Sequence, residues 1–421
     1  MSENNENKLV PKLRFPNYSE NWTVLPVSEM FEVFRGSPLS KIDLEENGTE
    51  PCIHYGELFT KYNEVILATY SKTNRKNGFR SVVGDVLMPS SDVTLTGLAK
   101  ASAIMLDNVI LGGDMNILRP QTDINSIFLS YLLNRSKREI IKLVSGTTVK
   151  HIYPSQIITC RLPIIKNSDE QQKIAACLSS LDEVIAGESQ KLEVLKEHKK
   201  GLLQNLFPQQ GETVPKLRFK EFEDSGEWVE RTLGEVSDNV MYGMNSAAIM
   251  FDGENKYIRI TDIDDNTRLF SPNPLTSPDG QLDDKYFVNV GDILFARTGA
   301  SVGKSYLHQK ENGKIYFAGF LIRFTIKNAN PYFIYLQTLT EKYQKWVSKT
   351  SLRSGQPGIN AEEFKSYPIL ISSLPEQQRI ASCLSSLDNL INAQSQKIET
   401  LKLHKKGLLQ GLFPDVNEHN G

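Results

Sequence analysis

Two stretches of the chain carry a heptad stripe. In the first, Ile174, Leu178, Leu181, Ile185, Leu192, Leu195, Leu202 and Leu206 follow alternating steps of four and three, and Glu188 and Lys199 fill the two polar slots. In the second, Ile380, Leu384, Leu387, Ile391, Ile398, Leu401, Leu408 and Leu412 repeat the pattern, with Gln394 and Lys405 in the same two registers. A stripe sustained over about four and a half heptads predicts a coiled-coil helix. Ser168 or Asp169 is placed to cap the first, and Pro375 sits in the first turn of the second, where its missing N–H costs little. Phe207-Pro208 and Phe413-Pro414 end them, because proline disfavours helical geometry in the residue before it. Gly201 and Gly407 each cost up to about 1 kcal/mol relative to alanine, which a close backbone approach by a partner would explain.

Outside these helices the pattern changes to short β-like runs punctuated by turns: Glu64 to Ala68, Val86 to Met88, Tyr257 to Ile260, Phe287 to Val290, Ile293 to Phe295 and Ile315 to Phe317. Helical patterns at Ile127 to Leu143 and Tyr332 to Val347 intervene. The mixture predicts α+β domains.

The helices belong to a repeat. EQQKIA to HKKGLLQNLFP (Glu170 to Pro208) returns as EQQRIA to HKKGLLQGLFP (Glu376 to Pro414), with about 28 of roughly 40 positions identical. VPKLRF recurs letter for letter at Val10 to Phe15 and Val214 to Phe219. A period of roughly 206 residues means duplication of a whole domain plus a helix. The first helix leaves the first domain for the second, and the second helix has only the first domain to return to. Paired along their seams they therefore run antiparallel, each about 60 Å long for 40 residues, with one domain at each end. The same relation places Phe413-Pro414 beside Val10-Pro11. The expected boundaries are 10–165 and 214–372 for the domains, and 166–213 and 373–416 for the helices.

Composition sets limits without naming a role. With 421 residues, 39% of them hydrophobic, the chain is long enough for two to four domains with real cores. Lys and Arg (48) nearly balance Asp and Glu (50), so total charge neither favours nor excludes a nucleic-acid partner, which needs only a local basic surface. The four cysteines form no CxxC pair and read as reduced thiols of a cytoplasmic protein. The polar N-terminus lacks a signal peptide's apolar core, and no run is long enough to span a membrane.

Between the shared anchors the halves diverge, as one frame with two different surfaces would. GDVLMPSSD (Gly84 to Asp92) answers GDILFARTG (Gly291 to Gly299). The second of these is a strand ending in a glycine-rich turn that offers Arg297, Thr298, Ser301 and Lys304, a mixture able to grip phosphates and reach guanine edges. Ser351 to Asn360, with Arg353, Ser354, Gln356 and Asn360, matches Ser145 to His151, with Thr147, Thr148, Lys150 and His151. In the first half Ser90, Ser91 and Thr94 stand where Arg297 and Thr298 would fall, followed by Lys100. Any one of these side chains alone reads as solvated surface; together the clusters read as parts of a DNA face.

Catalytic patterns are missing. Gly299 to Ser305 has three residues between its glycines where a phosphate loop needs four. Asp279, Asp283 and Asp284 sit in a turn-rich loop that reads as ordinary, and the histidines have no metal-ligand spacing. His198 and His404 occupy equivalent helix positions and read as packing or partner contacts.

The alternation of variable domain and EQQ…HKKGLLQ…LFP helix, with the GDILFARTG segment and the PKLRF openings, resembles the specificity subunits of Type I restriction-modification systems. The resemblance covers essentially the whole chain. It implies a non-catalytic subunit with two pseudo-two-fold-related target-recognition domains, each reading half of a bipartite site in double-stranded DNA. The antiparallel two-helix coiled coil would fix the gap, with half-sites about 34 Å apart. It implies docking of two modification subunits, which would use S-adenosylmethionine, and two restriction subunits, which would use ATP and magnesium; no cofactor or metal is expected in this chain. GDVLMPSSD lacks the arginine and glycine of GDILFARTG, so the two domains are expected to contact DNA differently. On residues alone two rivals stand: a methyltransferase fused to its reader, and a duplicated coiled-coil adaptor or stand-alone DNA-binding protein. Leu203, Phe207, Leu409 and Phe413, apolar but outside the seam, are expected to need a partner.

Overall fold

The computed structural model describes residues 9–309, 313–352 and 356–415. The chain forms two compact units, one from 1–190 with 396–421 and one from 191–395. Both divisions fall inside the long helices, which run unbroken over Ser168–Asn205 and Leu374–Leu412. Every residue of both apolar stripes is buried or half-buried.

In the first unit, Ile174 and Leu178 near the start of one helix share a core with Leu408 and Leu412 near the end of the other. Asp182 then meets Lys405 at 2.7 Å, and Glu188 meets Lys397 at 2.5 Å. Rising numbers on one helix meet falling numbers on the other, so the pair is antiparallel. The second unit repeats this with Ile380 and Leu384 against Leu202 and Leu206, and with Asp388 bonded to Lys199. The stripe's lysine slots are thus neutralised by a carboxylate on the facing helix, which fixes register as polar seam residues do in coiled coils.

The repeated letters have structural work. Asn167, not Ser168 or Asp169, caps the first helix: its Oδ1 accepts the Glu170 N–H at 3.0 Å. Glu170 receives a two-pronged bond from Arg14 (2.9 and 2.8 Å), and Glu376 one from Arg218 (2.8 and 2.9 Å). Gln171 accepts the Asn125 N–H and donates to Ile165 O, while Gln377 does the same with Asn330 and Ser372. Phe413 packs against Trp22 and Phe128, and Phe207 against Trp228 and Phe333. Phe207 and Phe413 are therefore core residues, and Leu203 and Leu409 lean on the same cores, so the expected need for a partner at these positions is met within each unit. No atom lies within 4 Å of a Cβ built on Gly201 or Gly407, so neither glycine is explained by a close approach within the chain.

Each unit is built on one mainly antiparallel sheet. In the first the order is Phe31–Arg35, Met115–Pro120, Asp85–Pro89, Ser102–Ile104 and Val65–Ile66. In the second it is Ser237–Tyr242, Leu321–Ile326, Asp292–Ala296 and Ser305–Leu307. A parallel pair accompanies each: Glu50–Ile53 with Ile110–Leu111, and Lys256–Ile258 with Ile315–Phe317. The structure departs from four of the expected elements. Phe287 to Val290 forms only a bridge from Phe287 to Tyr316, and Ile260 begins a 3-10 turn. The predicted helices at 127–143 and 332–347 are each two: Ser126–Arg135 and Lys137–Ile141, then Pro331–Gln337 and Glu341–Thr350. Thr340 makes the second break, because its hydroxyl accepts the Tyr343 N–H and starts a new helix.

Candidate nucleic-acid interface

The shared GD step is a turn into the buried central strand. Gly84 and Gly291 both hold φ +93°, and Asp85 and Asp292 accept the N–H three residues back, from Val82 at 2.9 Å and Asn289 at 2.8 Å. At the far end of that strand the halves part. Ser90 N–H donates to Asp114 O and Ile152 N–H to Ser90 O; Arg297 N–H donates to Phe320 O and Ile359 N–H to Arg297 O. Position 90 is therefore the structural counterpart of 297, and 151 that of 358.

The two polar clusters in each half are brought side by side. In the first unit Ser91 pairs with His151 and Asp92 with Lys150; in the second Thr298 bridges Gly358. Thr147 and Thr148 are exposed on this loop, and Gln356 is exposed opposite Arg297. Thr298 and Ser301, half-buried, line a cleft together with Arg297 and Gln356. Arg353 and Ser354 lie outside the described residues.

Several candidates are used by the fold instead. Ser90 is buried. Lys304 is also buried, its Nζ bonded to Ile263 O at 2.9 Å and Asp265 at 2.5 Å. Lys100 donates to Tyr62 O at 2.6 Å, and burial holds its pKa below the ordinary lysine value. Ser90 and Lys304 are therefore enclosed by the fold rather than presented at the surface, whereas Lys100 is half-buried and lines a shallow cleft with Asp92 and Thr94. Asn360 caps the helix Ala361–Lys365 through Glu363 N–H, and Thr94 caps Leu95–Leu98 through Gly97 N–H. Lys150 folds back onto Gly146 O.

A cleft that the sequence did not reveal lies beside these loops in each unit. In the second unit it encloses about 900 Å³ and is lined by Tyr242, Arg259, Arg297, Phe320 and Gln356 among others. In the first it encloses about 610 Å³ and is lined by Arg35, Lys41, His54, Arg75 and Asp114 among others. The two are counterparts. His54 N–H donates to Glu57 and Arg259 N–H to Asp262, each at 2.9 Å, so one turn recurs with different letters. Gly36 and Gly243 end the rim strands, where a Cβ would fall 1.9 Å from Gly112 O and 2.2 Å from Ala318 O. A glycine after a strand in each half, at 36 and 243, is the one signal that could have located the clefts.

Their chemistry differs. Arg297 lies against Tyr242 and Phe320, its guanidinium carbon 5.2 and 5.6 Å from the ring centroids, with Nε donating to Gly319 O at 3.1 Å. Arg259 is tied to Asp262 by two bonds of 2.8 Å. In the first unit acidic Asp43 and Asp114 stand among the cations, and burial lowers the pKa of His54, favouring its neutral form. Among the described residues no three His, Cys, Asp or Glu side chains are grouped to hold a metal, and no helix is long and apolar enough to cross a membrane.

The family described as Type I restriction modification DNA specificity domain matches residues 19–197 and again 225–403. A Type I restriction enzyme MjaVIII specificity subunit from Methanocaldococcus jannaschii is 24% identical, across 95% of this chain and 93% of its own length. The EcoKI specificity subunit of Escherichia coli is 22% identical, across 94% and 88%. Among solved structures, the S subunit of a Type I restriction-modification system from M. genitalium shares the fold at a TM-score of 0.65, with 17% identity, covering 97% of this chain and 100% of that one.

Proposed function

This chain belongs to the Type I restriction modification DNA specificity family, carrying two copies of its domain, and we propose that it selects the DNA site for such a system. Each unit reads one half of a bipartite site in double-stranded DNA, and the antiparallel helices set the gap between the halves. Two modification subunits dock on this chain and methylate adenine with S-adenosylmethionine; two restriction subunits contribute ATP- and magnesium-dependent translocation and cleavage. The chain itself supplies recognition and no catalytic group.

The observation that supports this reading is the matched pair of clefts. One backbone frame is built twice, with the same turns, caps and close glycine contacts, yet it displays different side chains at corresponding points. A frame that holds geometry constant while side chains vary suits a reader of two unlike half-sites, since contacts to phosphates position DNA and contacts to base edges carry the sequence information.

Exchanging residues 214–372 for the corresponding segment of a relative with known specificity tests it. In cells carrying the complete system, mapped methyladenines are expected to change in one half-site and stay unchanged in the other. A change in both halves, or in neither, would rule out the modular reading.

A further inference from the structure

One carbonyl plays the same part in both clefts. Gly113 and Gly319 each follow the residue that crowds the rim glycine, Gly112 against Gly36 and Ala318 against Gly243. In the second unit Gly319 O accepts Arg297 Nε at 3.1 Å. In the first unit Gly113 O accepts Arg35 Nε at 3.2 Å. The arginines are not counterparts in sequence: Arg297 ends a central strand, Asp292–Ala296, whereas Arg35 ends the edge strand Phe31–Arg35. The counterpart of Arg297 is the buried Ser90, and the counterpart of Arg35 is Tyr242, one of the rings that lie against Arg297.

We propose that Arg35 and Arg297 are the matching base-reading arginines of the two clefts, delivered to one spot from different strands, and that Arg297 recognises a guanine. This deepens the function proposed above and rests on it. Fixing Nε on a carbonyl leaves a guanidinium to act through its two terminal amino groups, end-on, which is the geometry that engages O6 and N7 of guanine in the major groove. Among the described residues those two groups of Arg297 make no hydrogen bond, and the rings of Tyr242 and Phe320 lie against the guanidinium. Arg35 has other company. Its Nη2 reaches Asp114 Oδ1 at 3.5 Å, and Asp114 occupies the place of Phe320. A donor and an acceptor stand side by side there, suited to a base edge that offers an acceptor next to a donor. The same anchored group thus reads different edges because its neighbours differ.

The test uses the assembled complex of this chain with its modification subunits and a DNA duplex bearing the site found by mapping methyladenines. A second set of duplexes carries 7-deazaguanine at each guanine of the half-site in turn, which removes N7. Arg297→Ala is expected to weaken binding to the natural duplex by about 10- to 100-fold. At one 7-deazaguanine position it should cost little more than the analogue already costs the parent. Arg297→Lys, which keeps the charge and loses the fork, should not restore binding. Arg35→Ala should relax discrimination at one base pair of the other half-site only. Uniform weakening on every sequence, with the salt slope reduced by about one and rescue by lysine, would identify phosphate contacts and overturn the proposal. So would an Arg35→Ala complex that binds like the parent. Should the parent complex itself fail to distinguish the mapped site from a scrambled duplex, the proposed function would fall first.

Discussion

Arg218 and Glu376 form the more buried of the two charge pairs that link an opening segment to a helix start, with side chains 8% and 1% exposed. Truncating one partner of such a pair strands the other in a medium that cannot solvate it. Arg218→Ala should therefore destabilise the full chain by about 3–5 kcal/mol, read as a lower urea midpoint, and adding Glu376→Gln should recover part of the loss. An unchanged midpoint would mean water reaches Glu376. Two phenols, Tyr131 buried and Tyr332 half-buried, make a second case. Tyr131 donates to Asp182 at 2.6 Å and Tyr332 to Asp388, and burial first, then the adjacent carboxylate, drives both phenol pKa values far above normal. The unfolded chain releases these protons near pH 10 while the folded chain keeps them. Their contribution is thus present below about pH 10 and is lost as pH rises beyond it. Urea unfolding between about pH 8 and 11 should show a shallower alkaline loss for a Tyr131→Phe, Tyr332→Phe double variant than for the parent; identical slopes would refute the assignment.

The long helices test a different balance. A Cβ at Gly187, Gly201 or Gly407 meets nothing within 4 Å, so alanine at each should stabilise the free chain by about 0.5–1 kcal/mol through helix propensity alone. If a partner's backbone approaches Gly201 and Gly407, alanine there will weaken assembly with the modification subunits while Gly187→Ala leaves it intact. A free chain destabilised by any of the three would contradict the open surroundings. These helices were legible in the sequence because a heptad stripe reports burial directly and the duplication printed it twice. The sheets were less so: strands of two to six residues, buried on one or both faces, leave little periodicity, and Phe287 to Val290 passed for one of them. The candidate surface was half legible. The sequence brought the 297–301 and 351–360 segments to one face, and the bridge from Thr298 to Gly358 joins them. Lys304 read as a ligand for phosphate because nothing in its neighbours along the chain reveals that Ile263 and Asp265, some forty residues earlier, enclose it. Arg35 escaped notice for the same reason: its likeness to Arg297 runs through a shared carbonyl, and aligned letters set it against Tyr242.

At the scale of the chain, the duplication makes two junctions alike, one covalent and one not. In the second unit the first long helix ends, the chain turns through 206–216, and Leu217 N–H donates to Asn205 O at 2.8 Å. In the first unit Leu13 N–H donates to Gly411 O at the same 2.8 Å, although no peptide bond joins these segments. The packing that holds them, Phe413 against Trp22 and Phe128 and Arg135 to Asp415 at 3.3 Å, matches Phe207 against Trp228 and Phe333 on the linked side. Non-covalent contacts therefore fix the same geometry as a continuous chain, and the link in the second unit is dispensable if the first unit is closed. A permutant joining 415 to 9 through a short glycine–serine linker and opened between Gln209 and Glu212 should fold with a urea midpoint near the parent's, because closing one loop offsets the entropy released by opening another. In the complete system it should direct methylation to an unchanged site. A permutant that folds but loses one half-site would show that the 206–216 link positions its unit beyond what Leu217, Phe207 and Trp228 accomplish by packing.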